Sequence, residues 1–208
     1  MKNDESRYCE ALGLVTIDRP TTSCKYRTAF CRAHCYNLKL YRAFGHTMRP
    51  KDARLARLWK HGLDGAYVRR IMATKAHRPN RIRFCSRGEP LATAADIDRF
   101  AEIAASCPSY LFWIPTRAWR SPTMRAEIER RLLGLANLRI MASTDPTTSD
   151  AELESLRSNG WSTMFFGDDD RDYGYHCPKT WDRKHGACAT CTAGCFSRQR
   201  VDVHLKTH

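Results

Sequence analysis

From Arg81 onward the chain repeats one unit: a short apolar or alternating run, a polar cluster, then a stretch with apolar residues at helical spacing. Arg81–Cys85 (R-I-R-F-C), Tyr110–Ile114, Leu138–Met141 and Trp161–Phe166 read as strands. Between them lie predicted helices at Ala94–Ser106, with Ile97, Phe100 and Ile103 on one face, after Pro122, with Ile128, Leu132 and Leu135 inward, and at Ala151–Arg157. Units of roughly 25 to 29 residues are too long for hairpins and suit right-handed crossovers, so the fold class is α/β with a parallel sheet. Upstream, Leu12–Ile17 predicts a first strand. Three helices follow: one with Leu38, Tyr41, Arg42 and Phe44 ending at Gly45, one after Pro50 with Leu55, Leu58 and Trp59 ending near Gly62, and a short one with Val68, Ile71 and Met72, broken by Pro79 and Asn80. The tail V-D-V-H-L-K-T-H alternates as a last strand. Such a sheet either curls into a partial barrel or stays open and doubly wound; in both cases ligands bind at the carboxyl ends of the strands.

The unusual polar clusters fall at those ends. Ser86, Arg87, Gly88 and Glu89 follow one strand, Thr116 and Arg117 the next, Ser143, Thr144 and Asp145 the third, and Gly167 to Asp170 the fourth. After the first strand comes C-K-Y-R-T-A-F-C-R-A-H-C-Y-N, with Cys24, Cys31 and Cys35 among Lys25, Arg27, Arg32 and His34. The shared placement predicts one pocket. In C-S-R-G-E-P a glycine past a strand lets backbone approach a ligand, and Glu89 can accept hydrogen bonds from an ammonium group; the plainer alternative is a strand-to-helix turn with a capping glutamate.

Three thiols in twelve residues point to a metal. A closed structural zinc site takes four protein ligands, whereas a [4Fe-4S] cluster held by three leaves one iron open; a zinc loop completed by His34 or a distant cysteine is the competing reading. A second set, Cys177, Cys188, Cys191 and Cys195, has the spacing C-x10-C-x2-C-x3-C and can close a complete site as a second [4Fe-4S] cluster or as tetrahedral zinc. The small residues Ala187, Ala189, Ala193 and Gly194 leave room for a cubane there. Cys9, Cys85 and Cys107 read as buried thiols, and Trp113, Trp119, Trp161 and Trp181 as core. His204 and His208 read as surface histidines, and Asp168, Asp169, Asp170 and Asp172 as a solvated turn.

Ten cysteines with a polar, charged N-terminus (Met1–Glu10) favour a reducing cytoplasm over secretion. No run approaches the ~20 apolar residues of a membrane span, so a soluble protein is expected. With 208 residues the chain can build one substantial core, organised as residues 1–170 with a cysteine-rich metal-binding extension, 171–208, packing on it. A net charge of +13 spread along the chain favours anionic partners, nucleic acid among them, or simply a solvated surface.

The order C-x6-C-x3-C-Y, R-I-R-F-x-S-x-G-E, I-P-T-R, N-L-R-I-M-A-S-T-D and a cysteine-rich tail resembles the phage gene product 88 family of radical-SAM-like proteins, over about Cys24 to His208. The resemblance to the radical S-adenosylmethionine superfamily implies a partial (β/α) barrel. It assigns Cys24, Cys31 and Cys35 to a [4Fe-4S] cluster, Gly88 and Glu89 to the amino group of S-adenosylmethionine, and Ser143 and Asp145 to its sugar or methionine portion. The usual superfamily loop is C-x3-C-x2-C; here Leu38 holds the last position and Cys24 supplies the third thiol from upstream. As an enzyme, such a protein would cleave the cofactor reductively and abstract hydrogen from an unidentified substrate, with Arg87, Thr116, Arg117 and Asp145 orienting ligands, an electron-donor protein as partner, and, if phage-encoded, the host cytoplasm as its place. The alternative is a non-enzymatic metal-stabilised module that binds nucleic acid or a host protein.

Overall fold

The computed structural model describes residues 6–9, 14–73, 80–168, 173–181, 188, 191–197 and 199–207. Strands β1 (Ser6–Cys9) and β2 (Leu14–Ile17) precede helices α1 (Ala29–Ala33), α2 (Tyr36–His61) and α3 (Gly65–Ala73). Then come β3 (Arg81–Phe84), α4 (Ala94–Ser106), β4 (Leu111–Thr116), α5 (Pro122–Arg131), β5 (Leu138–Thr144), α6 (Asp150–Ser158) and β6 (Ser162–Phe166). The chain closes with β7 (Tyr175–His176), α7 (Pro178–Trp181) and β8 (Asp202–Leu205).

All eight strands form one sheet in the order β1-β2-β3-β4-β5-β6-β8-β7. Only β1 runs antiparallel to its neighbour; the seven others are parallel throughout. The order climbs from β2 to β6 without reversing, so this is not a doubly wound sheet. Successive right-handed crossovers in one direction put α2 to α6 on one face, the arrangement of a partial (β/α) barrel. The core shows it. Val15, Ile17, Ile82, Phe84, Phe112, Ile114, Leu138, Ile140 and Ala142 point to a helix-covered face and join Trp59, Val68, Ile97, Phe100, Ile128 and Leu156 in one apolar cluster. Phe84 stands at its centre, with ring centroids 4.7 Å from Phe100, 5.8 Å from Phe112 and 6.5 Å from Trp59.

The other face carries the alternate residues. Leu14, Trp113, Met141, Met164 and Val203 pack there with Phe196, and Cys177, Cys188, Cys195 and Val201 lie against them. A parallel sheet must be covered on both faces, and here the C-terminal residues supply the second cover. They also enter the sheet itself: β8 pairs with β6 from Thr163 opposite Asp202 to Phe166 opposite Leu205.

Several expectations are adjusted. The two helices predicted around Gly45 and Pro50 form one segment, Tyr36–His61, kinked where Phe44 leaves helical geometry (φ −133°, ψ 35°). Pro50 lies inside it, where its missing N–H forfeits one hydrogen bond without ending the helix. His204 is not a surface residue: it is buried, its Nε2 is 2.9 Å from the Gly167 carbonyl, and the rings of Phe165, Tyr173, His176 and Trp181 surround it. Trp113, Trp119 and Trp161 are core, but Trp181 is exposed and stacks on His176 at 4.0 Å. Cys85 and Cys107 are buried. Cys9's side chain, Pro79, Asp169, Asp170, Asp172, Ala187, Ala189 and His208 lie outside the described residues. Among the described residues no helix is long and apolar enough to cross a membrane.

Candidate functional site

At the carboxyl ends of the strands a cavity of about 210 Å³ opens on the C-terminal-covered face. Its lining draws on every crossover from β2 to β5: Cys24, Cys31 and Cys35 from the first, Gly88 and Glu89 from the second, Thr116 and Arg117 from the third, Ser143 from β5. Eight residues predicted from loop position therefore share one wall system. Asp145 does not line the cavity; it lies behind it.

The cysteine segment is shaped by its own short helix. Thr28 caps α1, its Oγ1 accepting from the Cys31 amide at 3.0 Å, and the same hydroxyl donates to Asp145 Oδ2 at 2.5 Å. Asp145, with 0% exposure, also receives Arg117 Nη1 at 2.6 Å and the Thr147 hydroxyl at 2.6 Å. One buried carboxylate thus ties the cysteine loop to the ends of β4 and β5. Burial raises the Asp145 pKa, but the Arg117 guanidinium and the hydrogen bonds from Thr147 and Thr28 outweigh it and leave the group below the usual carboxylate range.

The Cys85–Pro90 turn is held just as firmly. Asp18 Oδ1 accepts from the Ser86 amide (2.9 Å), the Ser86 hydroxyl (2.6 Å) and the Arg87 amide (3.3 Å). Cys85 takes a left-handed conformation (φ 59°), and Gly88 does so at φ +85°. A Cβ on Gly88 would stand 2.5 Å from the Arg19 carbonyl oxygen, so only glycine lets the β2 and β3 loops approach this closely. That approach aims Glu89 inward at 5% exposure. Its Oε1 accepts from Thr116 Oγ1 (2.5 Å) and the Leu91 amide (3.0 Å), and its Oε2 from the Arg117 amide (2.9 Å). A carboxylate offers about four acceptor sites, so Oε2 retains one for a donor in the cavity. Burial, only partly offset by those hydrogen bonds, raises the Glu89 pKa.

Burial also pushes the Cys24 thiol up to about 12, with Glu89, Cys31 and Cys35 adding to it, and raises Cys31 despite Arg117 nearby. Without a metal these are protonated thiols. Among the described residues no three His, Cys, Asp or Glu side chains stand ready around a single metal ion. Cys177, Cys188, Cys191 and Cys195 do not line the cavity. They sit further along the same face, where burial and then the charges of Cys188, Cys177 and Cys191 push Cys195 up to about 12. Met164 and Leu205 belong both to the cavity wall and to the apolar layer beneath these cysteines. Asp168, from the acidic run, instead binds the Thr207 amide at 2.9 Å and the Thr207 hydroxyl.

Four contributors escaped the sequence reading. Thr28 and Asp18 act through hydrogen bonds of long sequence separation, for which no local pattern exists. Asn37 lines the cavity from the first turn of α2. Arg83 does so from β3, and its signal was present: in R-I-R-F-C a strand buried on both faces turns arginine to the side opposite Ile82 and Phe84.

No curated protein and no solved structure matches the chain. The family model described as "Gene product 88" matches residues 3–196, nearly the whole length over which the sheet, the cavity and both cysteine sets are built, and the chain therefore belongs to the Gene product 88 family.

Proposed function

We propose that the cavity is a ligand site built around a three-cysteine [4Fe-4S] cluster on Cys24, Cys31 and Cys35, with S-adenosylmethionine as the ligand of its open iron. The observation that carries the reading is the convergence of the three thiols with Gly88, Glu89, Thr116, Arg117 and Ser143 on one cavity. A cluster takes thiolates at separate corners, which three thiols on the lining of one cavity can supply. When bound, such a cluster supplies a Lewis-acidic iron and one electron. The chain does the rest by placement. Glu89 Oε2, with an acceptor site left over, receives an ammonium group; Gly88 brings backbone beside it; Ser143 and Thr116 offer hydroxyl oxygens at the strand ends; Arg117, neutralised by Asp145, fixes the cysteine loop.

Cys177, Cys188, Cys191 and Cys195 are proposed as a second, fully ligated metal site, [4Fe-4S] or zinc, that braces the C-terminal cover on the sheet. Anaerobic reconstitution with iron and sulfide separates the two sites. The triple variant Cys24→Ala, Cys31→Ala, Cys35→Ala is expected to lose about four irons relative to the wild type while remaining folded by circular dichroism. Unchanged iron content in that variant refutes the assignment. Zinc in both sites after iron-replete expression favours the alternative of a metal-stabilised module for nucleic acid or a host protein, whose binding would then fall steeply with salt.

A further inference from the structure

The cavity holds more positive charge than its cysteines and one glutamate require. Arg27, Arg83, Arg87 and Arg117 all line it. Arg117 is answered by Asp145, and Arg87 by Asp52 at 2.7 Å and Asp18 at 3.7 Å. Arg83 has no carboxylate partner among the described residues. Its guanidinium lies 4.6 Å over the Trp113 ring, and its Nε is buried without a hydrogen-bond acceptor. Arg87, 5% exposed, adds a second guanidinium that its ion pairs with Asp52 and Asp18 hold in place. Asn37, 4% exposed, leaves its Oδ1 unpaired. Buried polar atoms without partners are costly, and two such residues, Arg83 and Asn37, on one cavity mark the place where a ligand completes them.

We propose that Arg83, with Arg87 beside it in the lining, forms an anion subsite of the cavity for the carboxylate or phosphate of a second ligand, the substrate, separate from the cofactor position at Glu89. A guanidinium packed over an aromatic ring keeps its nitrogens available to such a group in the two-pronged fashion that a lysine cannot match. The Asn37 oxygen is an acceptor for a hydroxyl or amine hydrogen of the same ligand. Pro115, Met164, Phe166 and Leu205 supply an apolar wall beside the arginines, so the ligand is an acid with an apolar body rather than a bare inorganic ion. The substrate role rests on the proposed cofactor site; the anion subsite itself does not.

Phenyl phosphate, which joins the anion to an apolar ring, is the probe. Calorimetric titration of the full chain at fixed low ionic strength is expected to show one binding event, weakened about tenfold or more by Arg83→Gln and only partly by Arg83→Lys, with unchanged thermal stability. The surface variant Arg130→Gln is expected to bind as the wild type, since Arg130 is two-thirds exposed and does not line the cavity. Binding that persists at full affinity in Arg83→Gln, or no binding at all, overturns the subsite. Repeating the titration on iron-loaded protein saturated with S-adenosylmethionine separates the two sources of the anion. Unchanged or tighter phenyl phosphate binding supports a substrate subsite; one-for-one competition overturns it and assigns Arg83 to the cofactor's carboxylate. Loss of the cofactor response alone, with Arg83-dependent binding intact, refutes the cofactor reading and leaves the anion subsite standing.

Discussion

Replacing Thr28 by valine tests how the cysteine loop is held. Valine keeps the shape of threonine but removes the hydroxyl that accepts from the Cys31 amide at 3.0 Å and donates to Asp145 at 2.5 Å. Loss of the cap costs about 1 kcal/mol. Loss of a hydrogen bond to a buried carboxylate costs about 1.5–3 kcal/mol, and the lower end applies because Asp145 keeps Arg117 and Thr147. The expected total is about 2–3 kcal/mol, or roughly 4–12 °C in melting temperature for a chain of this size. Circular dichroism melts of metal-free protein measure that shift. Pulse alkylation read by peptide mass measures the local effect, and Cys31 is expected to label several-fold faster while the buried Cys107 keeps its rate. A double-mutant cycle with Asp145→Asn is expected to show about 1 kcal/mol of coupling. A melting shift under about 1 °C with Cys31 labelling unchanged refutes the claim that this contact docks the loop.

Gly88→Ala puts a Cβ against the Arg19 carbonyl at a positive φ; about 2–3 kcal/mol of destabilisation is expected in chemical denaturation, and a neutral result contradicts the close approach of the β2 and β3 loops. Asp145 is held below its usual pKa, so its contribution is present above pH ~4, where the unfolded group ionises, and is lost as pH falls through the lower folded value. Asp145→Asn is therefore expected to cost stability at pH 7 and progressively less below pH ~4, measured by urea melts across pH; a pH-independent cost sinks the ion-pair account. Glu89 works the other way, since burial raises its pKa and protonation relieves that cost. Cys24 at about 12 is protonated at pH 8 in metal-free protein, and iodoacetamide is expected to label it at least ~100-fold more slowly than a free thiol; labelling at the free-thiol rate contradicts its burial.

The fold was legible where the sequence is periodic. Val15, Ile82, Phe112 and Ile140 announce strands, and Ile97, Phe100 and Ile103 a helix, because a buried parallel sheet and its crossovers must repeat those patterns. What stayed hidden was short or tertiary. β1 is four residues in a polar stretch, α1 is five residues inside the cysteine loop, and the burial of His204 depends on rings from β6, β7 and α7. Loop position pointed to Cys24, Gly88, Glu89, Thr116 and Ser143, and these residues line one cavity. Roles within it were less legible. Asp145 lies behind the wall and holds both Arg117 and Thr28, the latter 117 residues away in sequence, and no local pattern encodes such a pairing.

The central claim is that the three-cysteine loop and the strand-end residues form one site around an open-iron cluster. Mössbauer and EPR spectra of anaerobically prepared protein, before and after adding S-adenosylmethionine, with iron and zinc counted in the same sample, test it most directly. The account predicts a [4Fe-4S] signal that is lost in the Cys24, Cys31, Cys35 triple variant and changes when the cofactor is added. Iron with no response to the cofactor, or zinc in place of iron after iron-replete expression, contradicts it.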